Sequence, residues 1–332
     1  MKILITGGSG FIGSNLVKKI IDQTEHHVVN VDLLTYASNN ATLSSLKNHP
    51  RYDFQQGNIC DNDLVAGVLS YFKPQIVFHL AAESHVDRSI GAPSEFIQTN
   101  IYGTYSLLTE IRSHLDRHKV DGFKLIHVST DEVYGSLGLD DPAFTETSRY
   151  KPNSPYAASK ASSDLLTRAW HKTYKLPTIT THCSNNYGPY QNTEKFIPKV
   201  ITNLIKGVEI PIYGNGLNIR DWVHVSDHCD ALLKIMSHGR IGQTYCIGAD
   251  QEYKNIDVVD HIIDALDKQL PTENNRKLLK EFVSDRLGHD LRYAINSGKI
   301  TSQLDWRPTT KFVDGISHTV KWYIDNQDWW QT

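Results

Sequence analysis

Residues 2–20, "KILITGGSGFIGSNLVKKI", run an apolar, strand-like stretch straight into a glycine loop and out into an amphipathic stretch. Few folds accept that order. Gly7, Gly10 and Gly13 satisfy the spacing GxxGxxG, and Gly8, Gly10 and Gly13 satisfy GxGxxG. Such a loop lets the backbone turn tightly and brings N–H groups at a helix N-terminus within reach of a pyrophosphate. Alone, the pattern is only a glycine-rich turn; the context decides. A second apolar run, "HVVNVD" at 27–32, ends in Asp32, 19 residues beyond Gly13. An acid there hydrogen-bonds the adenine ribose hydroxyls of a dinucleotide. Leu33 follows, and no Arg stands near it to hold a 2′-phosphate. The expected cofactor is NAD rather than NADP.

The rest of the chain repeats the alternation. Apolar runs at 52–57, 75–82, 123–130 and 177–184 read as further strands, and 61–72, 94–118 and 154–174 as helices between them. The fourth and fifth runs are apolar throughout, as in strands covered on both faces. This order predicts an α/β fold, a doubly wound parallel Rossmann-like sheet. After residue 185 the elements shorten and Pro, Gly and Asn become frequent, in "NNYGPYQN" and "IPIYGNGLNIRDW". The expected division is a dinucleotide-binding domain over 1–185 with a return of about 221–248. A smaller α/β substrate lobe would use 186–220 and 249–332. With 332 residues the chain can hold both.

Two stretches carry candidate chemistry. "LIHVSTDEVYG" (125–135) closes an apolar strand with Thr130, Asp131 and Glu132, where most buried strands turn with Gly, Asn or Ser. "NSPYAASKASSDLL" (153–166) has Ser154 as N-cap and Pro155 at the first helical position. Tyr156 and Lys160 are four residues apart and so share a helix face. A free phenol is a poor base at neutral pH; a nearby ammonium favours the phenolate. Such a pair is usually coincidence. Its place after a glycine loop and a strand ending in Thr130 argues otherwise.

"TGGSGFIG", "HLAAESHVDRSI", "STDEVYG", "SPYAASKASSD", "SNNYGPYQ", "RDWVHVSDH" and "GHDLRYAI" together resemble the extended short-chain dehydrogenase/reductase family, and within it the nucleotide-sugar 4,6-dehydratases. The likeness covers nearly the whole chain. "STDEVYG" is the specific part, because related epimerases generally lack Thr-Asp-Glu and related decarboxylases typically carry Ser at the position of Asp131. The resemblance implies dTDP-glucose as substrate. Tyr156 would take the 4-hydroxyl proton while NAD takes the C4 hydride, and Thr130 would bond the same oxygen. Glu132 would remove the C5 proton, Asp131 would protonate the departing 6-hydroxyl, and the hydride would return to C6. It implies a cofactor site of Gly7, Gly10, Phe11, Ile12, Gly13, Asp32, Leu33, Thr35, Asn58, Ile59, Leu80, Ala81, Ala82, Thr99, Tyr156, Lys160 and Asn186. It implies a substrate site of Ser84, Thr130, Asn185, Lys195, Phe196, Pro211, Ile212, Tyr213, Arg220, Asn255, Arg286, His289 and Tyr293. Arg220 and Arg286 have the geometry to clamp a diphosphate. Leu33, Asn58 and Leu287 depart from the family pattern. A homodimer packed through 94–118 and 154–174 is also implied.

Composition narrows the classes. The net charge of −3 offers no nucleic-acid or anionic-membrane surface. Apolar runs of about eight residues are too short to span a bilayer, and no secretory signal is recognisable at the start. Four cysteines without CxxC pairing read as reduced thiols in a cytoplasmic protein, and 16 histidines without HExxH indicate no metal. The alternatives are a UDP-glucose 4,6-dehydratase, an epimerase, a decarboxylase, or a non-catalytic NAD-binding sensor. A sensor has no need of Thr130, Tyr156 and Lys160 together.

Overall fold

The computed structural model describes residues 1–39 and 41–331. The chain runs β1 (Lys2–Thr6), α1 (Phe11–Gln23), β2 (His27–Asp32), β3 (Tyr52–Gln56), α2 (Asn62–Phe72), β4 (Ile76–His79), α3 (Val86–Gly91), α4 (Pro93–Phe96), a wide π turn (Ile97–Gly103), α5 (Thr104–Arg117), β5 (Lys124–Thr130), α6 (Pro155–Tyr174) and β6 (Thr178–Cys183). It continues through β7 (Asn185–Tyr187), α7 (Phe196–Lys206), β8 (Ile210–Tyr213), β9 (Ile219–His224), α8 (Val225–His238), β10 (Thr244–Ile247), β11 (Glu252–Lys254), α9 (Asn255–Gln269), β12 (Lys280–Val283), β13 (Arg292–Tyr293), α10 (Gly298–Leu304) and α11 (Phe312–Asp325).

Seven parallel strands form the main sheet in the order β10-β6-β5-β4-β1-β2-β3. Strand order reverses between β1 and β4, and the crevice beyond their carboxyl ends is where such sheets bind ligands. Leu16, Ile20 and Leu232, from α1 and α8, cover one face of the sheet. Leu69, Leu107 and Ile111, from α2 and α5, cover the other. Each such side chain contributes about 1.5–3 kcal/mol by leaving water. A second core joins α7, α9 and α11 around Trp222 and Phe312. Beside it lie a small sheet of β7, β9, β11 and β13 and the parallel pair β8–β12.

Two details differ from the sequence reading. β9 belongs to the small sheet, so the chain rejoins the main sheet's layers only with α8 and β10, a few residues after 221. The helix expected over 94–118 is not one regular helix. Its π turn lets Asn100 hold the loop after β4: Oδ1 accepts from Glu83 N (2.8 Å), and Nδ2 donates to Glu83 O (3.0 Å) and Ser159 Oγ (2.8 Å). Wide turns of this kind recur at functional sites.

Candidate active site

The glycine loop fits a dinucleotide for reasons visible in its geometry. Gly7 has φ +75°, and a Cβ there would lie 2.5 Å from Ala81 N. A Cβ on Gly13 would overlap Gly7 O. The loop is thus pressed against α1 and the segment after β4, while Gly10 has open space beside it apart from Gly7 O at 3.4 Å. Asp32 accepts from Ser9 N (2.9 Å) and Leu34 N (2.8 Å), which fixes its carboxylate at the rim of the groove with lone pairs to spare. All seventeen cofactor positions expected above line this one groove, from Gly7 through Asp32 and Thr99 to Asn186.

At the groove's inner end β5 delivers Thr130, the 3₁₀ turn that follows it (Asp131–Tyr134) delivers Asp131 and Glu132, and α6 delivers Tyr156 and Lys160. Ser154 caps α6 by accepting from Ala157 N (3.1 Å), with Pro155 in the first turn, so the local signals act as expected. Asp131 is buried, and one of its carboxyl oxygens finds no partner. Burial, then the charges of Glu132 and Asp221, push its pKa well above the carboxylate range. Burial also raises Glu132, but Arg286, Arg220 and Lys195 pull it back toward the charged form. Both acids are raised, Asp131 the further, so Asp131 is the one to hold a proton while Glu132, beside three cations, is the one to take one.

Tyr156 and Lys160 both line the groove from α6. Lys160 does not bond the phenol: its Nζ donates to Val128 O at 2.9 Å. Burial, then Glu132, push the Tyr156 phenol up, against a hydrogen bond from Thr130 that favours the phenolate.

A second cavity opens from Glu132 into the small lobe. Ser84, Asn185, Lys195, Phe196, Pro211, Ile212, Tyr213, Arg220, Asn255, Arg286, His289 and Tyr293 line it. The two arginines are not equivalent. Arg220 is buried; it donates to Ile219 O (2.7 Å) and Asp290 O (2.9 Å) and lies 4.3 Å from the Tyr293 ring centre. Arg286 stands 3.6 Å from Asp87, and its Nε is buried without a partner.

Sequence reasoning missed a bridge across the cofactor groove. The Arg88 guanidinium lies 3.7 Å over the Tyr36 ring and pairs with Glu194 at 2.5 Å. The Tyr36 hydroxyl donates to Glu83 (2.9 Å), and Asn192 donates to the Tyr36 carbonyl (2.9 Å). Arg88 sits in the "HVDRSI" motif, which was the available signal. Among the described residues, no three His, Cys, Asp or Glu are grouped to hold a metal, and no helix is long and apolar enough to cross a membrane.

The family model described as GDP-mannose 4,6 dehydratase matches residues 4–319. A dTDP-glucose 4,6-dehydratase of Escherichia coli is 50% identical, covering 100% of this chain and 96% of its own length. One from Salmonella typhimurium is 51% identical, covering 99% and 94%. The crystal structure of a Streptomyces venezuelae dTDP-glucose 4,6-dehydratase with NAD bound superposes with a TM-score of 0.92 at 44% identity, over 100% of this chain and 99% of that one. The chain belongs to the GDP-mannose 4,6 dehydratase family of extended short-chain dehydrogenases/reductases, in the branch that holds the dTDP-glucose 4,6-dehydratases.

Proposed function

We propose that this chain is an NAD-dependent dTDP-glucose 4,6-dehydratase, yielding dTDP-4-keto-6-deoxy-glucose. The observation that carries the reading is the split acid pair, Asp131 sealed and Glu132 beside three cations, where the cofactor groove meets the second cavity. When bound, NAD accepts a hydride from C4 of the sugar and gives it back at C6. Tyr156, helped by Thr130, takes the 4-hydroxyl proton. A 4-ketone acidifies the C5 proton, which Glu132 removes. Asp131, protonated, delivers its proton to the departing 6-hydroxyl. Arg286 and Arg220 face the diphosphate. Asp32 selects NAD, since it would repel a 2′-phosphate and the exposed Leu33 offers it nothing.

A homodimer through α5 and α6 is part of this reading, supported by the exposed Ile97, Tyr105 and Leu165 on and beside those helices. Sedimentation at micromolar protein tests it; a monomer throughout overturns it. A cytoplasmic setting fits the four free cysteines. The activity is tested by incubating the protein with dTDP-glucose, UDP-glucose, GDP-mannose and CDP-glucose and weighing the products. Loss of one water from dTDP-glucose, with no net NADH, is expected. Unchanged mass, or loss of water from another sugar nucleotide alone, overturns the reading.

A further inference from the structure

Behind the catalytic strand lies a buried carboxylate that the reaction does not use. Asp164 sits on α6, one turn beyond Lys160, and is almost completely buried. Its Oδ1 bonds His127 Nε2 (3.0 Å) on β5. Its Oδ2 accepts from Ser129 Oγ (3.0 Å) on β5, and bonds His182 Nε2 (3.0 Å) on β6 and the Tyr150 hydroxyl (3.2 Å). His127 and Ser129 flank Val128, whose carbonyl takes the Lys160 ammonium. One carboxylate thus grips both neighbours of the group that holds the lysine.

The charges point the same way. His182 Nδ1 pairs with the Tyr134 hydroxyl (2.6 Å), and its Nε2 lies within hydrogen-bond distance of Asp164 Oδ2 (3.0 Å) and the Tyr150 hydroxyl (3.2 Å). His127 Nδ1 is buried without a partner, so His127 is neutral with its proton on Nε2, and burial favours that form. The titratable groups facing Lys160 are Asp164 from its own helix, His79 from β4, His127 from β5 and Cys183 from β6. Among them only Asp164 is a carboxylate. An ammonium taken out of water needs a counter-charge to stay protonated.

We propose that Asp164 is a positioning residue for the oxidation step: through Val128 and its own charge it keeps Lys160 in place and protonated, so that Lys160 can serve Tyr156. The inference rests on Tyr156 and Lys160 acting as the oxidation pair. Burial lowers Lys160, and Asp164 is the largest influence holding it up.

The test is the first-turnover NADH transient with dTDP-glucose as a function of pH. In Asp164→Asn the acidic limb should move up by about one pH unit, a roughly tenfold loss near neutrality, because a neutral lysine no longer favours the phenolate. Tyr150→Phe removes a hydrogen bond to Asp164 but no charge, and should leave the limb in place. Adding Asp164→Asn to Lys160→Met should give no further shift. An unmoved limb in folded Asp164→Asn, or an equal loss in the Lys160→Met background, overturns the proposal. If Asp164→Asn does not fold, Asp164→Ser decides by the same measurement; if neither folds, the carboxylate is a folding element and the proposal falls. Absence of any transient in the wild type instead defeats the oxidation-pair reading.

Discussion

Asp131 and Glu132 are adjacent in the chain yet meet opposite surroundings: Asp131 is 1% exposed and faces the carboxylates of Glu132 and Asp221, whereas Glu132 faces Arg286, Arg220 and Lys195. The two should therefore fail at different steps. Asp131→Asn keeps the shape but has no proton to give. NADH and the 4-keto sugar should build up on the enzyme, with dehydration slowed on the order of 10² to 10⁴. Glu132→Gln should keep some oxidation but lose exchange of the C5 proton with solvent deuterium. Rapid-quench mass spectrometry in deuterated solvent follows both, and normal dehydration by Asp131→Asn would contradict the assignment.

Gly13→Ala should cost cofactor retention rather than chemistry. The new methyl group meets Gly7 O and Gly8 Cα, both backbone, so the loop must move. Overpacking of this kind costs about 1–3 kcal/mol. The purified variant should carry much less NAD, read by absorbance after denaturation. Wild-type NAD content would show that the loop yields without consequence.

Arg286→Ala and Arg220→Ala should separate binding from folding. Arg286 lines the cavity and its Nε has no partner, so its loss should mainly raise KM at unchanged Tm. Arg220 also ties down the carbonyls of Ile219 and Asp290, so Arg220→Ala should raise KM and cost about 1–3 kcal/mol of stability. Equal melting temperatures for the two variants would refute the distinction.

Asp221 links stability to pH. It is fully buried, accepts from Ala249 N (3.0 Å) and Gln251 N (2.8 Å), and burial raises its pKa to about 6. An unfolded Asp titrates near 3.9. Its contribution is thus present below about pH 4 and lost as pH rises through about 6, on the order of 2–3 kcal/mol. Asp221→Asn should flatten the fall in stability across that window. Urea unfolding at several pH values measures it; parallel curves for variant and wild type would count against the linkage.

The glycine loop, the strand and helix order and the capped start of α6 were legible because each is set by residues within a few positions of one another. Ser154 caps Ala157, and Gly7 turns where its own φ requires it. What stayed hidden depends on contacts between distant segments. Lys160 bonds a carbonyl 32 positions earlier in the chain. Arg88 reaches Tyr36 and Glu194 across the groove. Arg220 looks like a phosphate ligand in the sequence, but much of its donor capacity is already spent on backbone carbonyls.

The π turn at Ile97–Gly103 has a consequence for the length of the chain itself. Each residue of an α-helix advances about 100° around the axis. A wide turn holds one residue more than regular winding allows, so the parts before and after it keep independent angular settings. Ahead of it, Phe96 packs inward, meeting Tyr156 edge-on with ring centres 6.3 Å apart; behind it, Leu107, Leu108 and Ile111 are sealed in the core. Deleting any one residue of the seven would restore regular winding and let only one of the two halves keep its facing. The spacing between Phe96 and Leu107 is therefore set by the turn between them.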